Sequence, residues 1–211
     1  MYTIFLNSED QGHNLETFNE RFIEICNEHK ANSRALAFAF ILYDFMNEGL
    51  HSVLNKPEYW LSLNATSGKY LTVFSLNYMP ALTNGFLTSV TSEINPSIDS
   101  NILIERYFGR DVTVKYPAVM FFQIQNDQVL DYELIELSEE RIEESFGELK
   151  IYITKTVEVL KGISPQYVAN NKEIFDLVKA EVKGIRRMTI IKKGIKTLTS
   201  AYEIGSTILG S

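Results

Sequence analysis

With 211 residues, 45% of them hydrophobic and 12% aromatic, this chain can bury the core of one domain, with or without an appendage, and cannot be a disordered polyelectrolyte. A formal net charge of −7 argues against nucleic acid as a partner of the whole surface, although local patches stay open. Cys26 is the only cysteine, so an intramolecular disulfide and a Cys-rich zinc site are both excluded.

Tyr2-Thr-Ile-Phe-Leu6 reads as a short strand. It reaches the polar cluster 7–14 after six residues, too soon for the apolar stretch of a signal peptide. Since no run of about 18 uncharged apolar residues follows, a soluble, cytoplasmic protein is the expectation. Asn14 can cap a helix in which Leu15, Phe18, Phe22, Ile25 and Cys26 share one face, ending near Lys30. On that face Cys26 reads as a small buried hydrophobe rather than a reactive thiol.

The run 35–45 is apolar at nearly every position, as in a strand covered on both faces, and Asp44 closes it. A helix is expected from about Leu50 to Leu63, kinked or split by Pro57, and Gly68 suits the turn after it. A second strand spans Lys69 to Asn77. Residues 78–95 read as loop or irregular helix, and 96–108 as a helix stopped by Gly109. Val112 to Ile124 is a β run with Pro117 near its start, and Asn126-Asp127 turns it into an antiparallel partner over 128–135. Ser138 is the expected cap of a long helix with Glu139, Glu140, Glu143 and Glu144 in its opening turns, ended by Gly162.

This order, β–α–β–α–β–α–β–β–α, resembles the thioredoxin-like fold over roughly residues 1–160. Tyr43-Asp44-Phe45 resembles the end of the strand before that superfamily's active site. The Cys-x-x-Cys of the family falls on Leu50-His51-Ser52-Val53, and Lys115-Tyr-Pro-Ala-Val-Met-Phe-Phe122 resembles the segment with its cis-proline. The resemblance implies an α/β fold with a central mixed sheet flanked by helices (residues 1–162) and a C-terminal helical extension (163–211). It also implies a binding surface formed by Tyr43, Asp44, Leu50, His51, Ser52, Tyr116 and Pro117. The chain departs from the family in lacking both active-site cysteines, in some twenty extra residues between 78 and 111, and in its tail. Dithiol exchange needs an attacking thiolate and a resolving thiol; Leu50 and Val53 supply neither.

The tail 163–211 holds eight basic and four acidic residues, about +4, leaving about −11 for the body. Ile174, Leu177, Val178, Val182 and Ile185 form one apolar helical stripe, and Ile191, Ile195, Leu198 and Tyr202 another. A hinge is expected near Gly184 or Gly194. Arg186, Arg187, Lys192, Lys193 and Lys196 are its candidate contact residues. Three roles compete for the tail: packing on the acidic body, docking on a partner or second copy, and lying on an anionic membrane surface.

His13, His29 and His51 have no metal-ligand spacing, and no Gly-rich phosphate loop is present, so neither metal nor cofactor is expected. The leading expectation is a redox-inactive thioredoxin-like interaction module that binds a protein partner or itself, without catalytic residues. The alternatives are a glutathione-transferase-like or other small-substrate enzyme using the site around His51, and a peripheral membrane or nucleic-acid contact through the tail.

Overall fold

The computed structural model describes residues 2–5, 15–43, 57–77, 103–138, 142–164 and 168–209, with side chains in the last segment described through residue 191. It is a mixed α/β structure. Strands β1 (Tyr2–Phe5), β2 (Ala37–Leu42), β3 (Leu71–Asn77), β4 (Ala118–Gln125) and β5 (Gln128–Glu136) form one sheet in the order β1-β3-β2-β4-β5. The first three in that order run parallel, while β4 is antiparallel to β2 and β5 antiparallel to β4. Helices α1 (Leu15–Ala31), α2 (Pro57–Ser67), α3 (Ile142–Lys161) and α4 (Asn171–Leu209) flank it.

Strand β2 is buried at all six positions. Its alternation of Ala37, Ala39 and Ile41 with Phe38, Phe40 and Leu42 puts the bulky rings together on one face, because successive side chains point to opposite sides. On the ring side, Phe18 and Phe22 of α1 meet Phe40, Phe74 and Phe122 at centroid distances of 5.3–6.4 Å. Phe108, which follows a helical turn over residues 103–107, packs edge-on against Phe122 at 5.2 Å. Each such ring contributes roughly 1.5–3 kcal/mol by burial, against about 0–1 kcal/mol for an exposed ion pair. The aromatic layer therefore dominates the stability of this half of the molecule.

Helices α2 and α3 meet through Tyr59 and Phe146, with ring centroids 4.7 Å apart. Helix α4 lies beside α3, β4 and β5, where Ile174, Phe175, Val178 and Val182 are buried in the same core. Lys179 pairs with Asp131 at 2.8 Å and Lys183 with Glu133 at 3.4 Å, tying α4 to alternate residues of β5. The tail helix thus packs on the body from its start through Ile185, and Thr189 still reaches Tyr152 of α3.

Several boundaries differ from the sequence expectations. The described part of α2 begins at Pro57, whose missing N–H suits a first helical turn, and it runs to Ser67, where Gly68 at φ +53° ends it. Strand β4 starts at Ala118, so residues 112–117 lie outside the ladder. Helix α4 passes unbroken through Gly184 and Gly194, with no hinge at either. Phe175 takes the buried place expected of Leu177, which is 50% exposed. Glu139 and Glu140 are outside the described residues, and Ser138 uses its backbone N–H to bond Glu148 Oε2 at 2.8 Å.

Candidate functional site

The candidate site lies at the C-terminal end of β2. Tyr43 follows β2 directly and is 3% exposed. One strand over, Ala118 at the head of β4 lies opposite both Leu42 and Glu136, so the residues before it sit between the ends of β2 and β5. The Tyr116–Pro117 peptide there is cis. Pro117 is buried, and its carbonyl accepts the Leu137 N–H at 2.8 Å. That bond continues the β4–β5 pairing past the strand end and fixes the proline's position.

A polar cluster backs this corner. Ser145 of α3 donates its hydroxyl to the Ser138 carbonyl at 2.9 Å, while the Ser138 N–H donates to Glu148. The two bonds hold the β5–α3 connection against α3 by both of its backbone groups. The Tyr43 hydroxyl is buried beside Ser145 and makes no hydrogen bond of good geometry among the described residues. Burial pushes its phenol well above the usual range, with the nearby Glu148 carboxylate acting in the same direction and Ser145 opposing. Tyr43 is therefore a neutral donor at any ordinary pH.

Upstream of the proline, the half-buried residues Val112, Val114 and Tyr116 alternate with exposed Asp111, Thr113 and Lys115. This two-residue period is that of an extended chain laid on the core. The backbone groups of residues 113–115 have no hydrogen-bond partner among the described residues. An extended segment of this kind leaves a row of donors and acceptors open to a second strand.

Of the residues expected to form the site, Tyr43, Tyr116 and Pro117 come together at this corner. Asp44, Leu50, His51 and Ser52 lie outside the described residues. Arg186 and Arg187 are exposed on α4 just beyond Ile185, with Arg186 near enough to Tyr152 to act on it electrostatically, and Lys192, Lys193 and Lys196 lie in the part of α4 whose side chains are not described. His29 turns inward: its Nδ1 is 2.8 Å from Thr72 Oγ1, and its ring lies 5.7 Å from Tyr2. Burial, then the Arg34 charge, lower its pKa, which suits a neutral packing group. Cys26 is fully buried and its thiol is pushed well above the normal value, chiefly by burial. No cluster of three or more metal-ligating side chains forms among the described residues.

Sequence reasoning missed Lys30. Its amine reaches Gln123 Oε1 and the Ile124 carbonyl at 3.2 Å each and Asn171 Oδ1 at 2.5 Å, all uncharged oxygens. Burial lowers its pKa to about 8. The amine joins the end of α1, β4 and the start of α4, at the sheet end opposite Pro117, beside a cavity of about 300 Å³ lined in part by Leu36, Tyr70 and Leu160. No signal in the local sequence marks it, because its partners lie 93 to 141 residues away.

No known protein family, no curated protein and no solved structure matches this chain. No helix among the described residues is long and apolar enough to cross a membrane.

Proposed function

We propose that this chain is a redox-inactive, thioredoxin-like module that binds an extended segment of another polypeptide alongside residues 112–116. The observation that carries the reading is the alternating segment leading into the cis Tyr116–Pro117 peptide, in which the backbone groups of residues 113–115 are open among the described residues. A polypeptide laid there would take hydrogen bonds from the backbone of residues 113–115, and Val114 and Tyr116 would meet its alternate side chains. The strand order β1-β3-β2-β4-β5, with β4 antiparallel and a proline at its head, supports the thioredoxin-like part of the reading. The single cysteine, buried in α1, leaves no resolving thiol for exchange within the chain.

The test is selection from a displayed library of random linear peptides on the immobilised full chain, followed by Thr113→Pro and Lys115→Pro. Proline removes a backbone donor at a position outside every ladder, so the fold persists while strand addition fails. Loss of the selected peptides on both variants, with amides 113–115 gaining hydrogen-exchange protection in the complex, is expected. Peptides that bind both variants as well as the parent chain would show that the segment is not the docking edge.

A further inference from the structure

The cavity beside Lys30 gathers cations and is lined by no carboxylate. It occupies about 300 Å³ between the end of α1, the residues just before β2 and β3, and the end of α3, a size at the lower end of the range for small-molecule sites. Lys30 and Lys69 line it, and the Lys69 and Lys161 amines lie 5.7 and 5.9 Å from the Tyr70 ring centroid. None of these lysines forms an ion pair among the described residues. Glu158, one turn before Lys161, is paired with Lys155 at 2.7 Å and lines a separate groove between α3 and α4. In a chain of net charge −7, a concave surface of this sign is a local exception.

A lysine in the last turn of a helix ordinarily serves that helix's own free carbonyls. Lys30 instead turns its amine to Gln123 and Ile124 of β4 and Asn171 of α4, all neutral acceptors. It is thus a half-buried cation without a counter-ion, and burial accordingly lowers its pKa. A carboxylate in the cavity would supply that counter-ion in a place screened less than the open surface. The rest of the wall is largely apolar, with Leu36, Leu160, Ile163 and the Tyr70 ring. It is also fixed in place. The Leu36 N–H donates to the Tyr70 carbonyl at 2.8 Å, and the Ile163 N–H to the Leu160 carbonyl at 3.3 Å. Ser33, Lys69 and Val168 are exposed at the rim, which leaves a way in.

We infer that this cavity binds a small organic monocarboxylate, its anionic group between Lys30 and Lys69 and its apolar body against Leu36, Tyr70 and Leu160. All three N–H donors of Lys30 are in use, so the carboxylate replaces one neutral acceptor. Gln123 is fully buried and Ile124 offers a backbone carbonyl, whereas Asn171 is a half-buried side chain at the start of α4 and is the one that yields. An ionised acceptor in its place adds the attraction of opposite charges. A neutral ligand would leave Lys30 without its counter-ion, and an inorganic anion would leave the apolar wall in water. The cavity lies at the sheet end opposite Pro117, so this site and the polypeptide-docking edge stand or fall separately.

The test is an NMR titration of the full chain near neutral pH with phenylacetate, hexanoate and 4-methylpentanoate as probes. At least one is expected to bind saturably and to move the amides of Leu36, Tyr70 and Ile163. The primary amide of that probe, neutral and of the same shape, should bind about tenfold more weakly, and so should inorganic phosphate. Lys69→Met removes an exposed amine, leaves the fold intact and should weaken binding about threefold or more, and Lys30→Met about tenfold. Val168→Trp adds bulk at a rim position that is 42% exposed and should block the site. Thermal melts of each variant separate a folding effect from a binding effect. Probes that all leave those amides unmoved up to about 10 mM overturn the proposal, as does binding that survives both lysine substitutions. A primary amide that binds as well as its acid overturns the anion assignment, and phosphate that binds as well as the acid overturns the organic one.

Discussion

Replacing Lys30 by methionine should remove a specific pH dependence of stability. The amine is half-buried among three uncharged oxygens, and its folded-state pKa of about 8 lies below the ordinary 10.5. The three acceptors favour the charged form, so a lowered pKa means that desolvation outweighs them. A lysine whose pKa falls on folding binds its proton more tightly in the unfolded chain. Its contribution to stability therefore rises with pH between about 8 and 10.5, at up to about 1.4 kcal/mol per pH unit. Solvent screening of a partly exposed amine reduces the total gain to about 1 kcal/mol. The assay is urea denaturation at intervals from pH 7.5 to 9.5, where the raised phenols of Tyr43 and Tyr152 do not titrate. Cys26, kept protonated by burial while it ionises in the unfolded chain, lowers the stability of both proteins as pH rises, so the expected outcome is a more positive slope for the parent than for Lys30→Met. Equal slopes for the two proteins would show that the amine keeps an ordinary pKa and that its burial costs nothing.

Other expectations concern packing. Phe122→Ala removes the ring that meets Phe22, Phe38 and Phe108 at 5.2–5.4 Å, and should cost about 3–5 kcal/mol in a urea titration. A loss under about 1 kcal/mol would mean that the aromatic layer is loosely filled. For the docking of α4, Phe175→Ala should cost about 3–5 kcal/mol, while Lys179→Met, which breaks the partly exposed pair with Asp131, should cost about 1 kcal/mol or less; the reverse ranking would make the tail's attachment electrostatic. Cys26 should react with a thiol reagent only as fast as the protein unfolds, and modification of the native chain within seconds would contradict its burial.

Periodicity carried much of the architecture. The Phe18–Phe22–Cys26 face of α1, the unbroken apolar run of β2 and the Asn126-Asp127 turn are local patterns, and each element formed where the pattern lay. Boundaries moved wherever a neighbour decided them: residues 113–115 have strand-like composition but no backbone partner among the described residues, so β4 begins only after the proline. The glycines of α4 illustrate the same limit. Each costs about 1 kcal/mol in a helix, which predicts a hinge. Burial of Val178 and Val182 just before Gly184 returns more than that, and the helix continues.

Composition and spacing alone settled what chemistry this chain lacks, because one cysteine can be counted without coordinates and no arrangement of it yields a dithiol. They also settled which stretches are amphipathic, since a helical or a strand repeat is written in neighbouring residues. Which face of α4 meets the sheet, and that Lys30 sits among Gln123, Ile124 and Asn171, was decided only by the fold. Those contacts join residues about a hundred positions apart, and their energies exist only after the chain has brought them together.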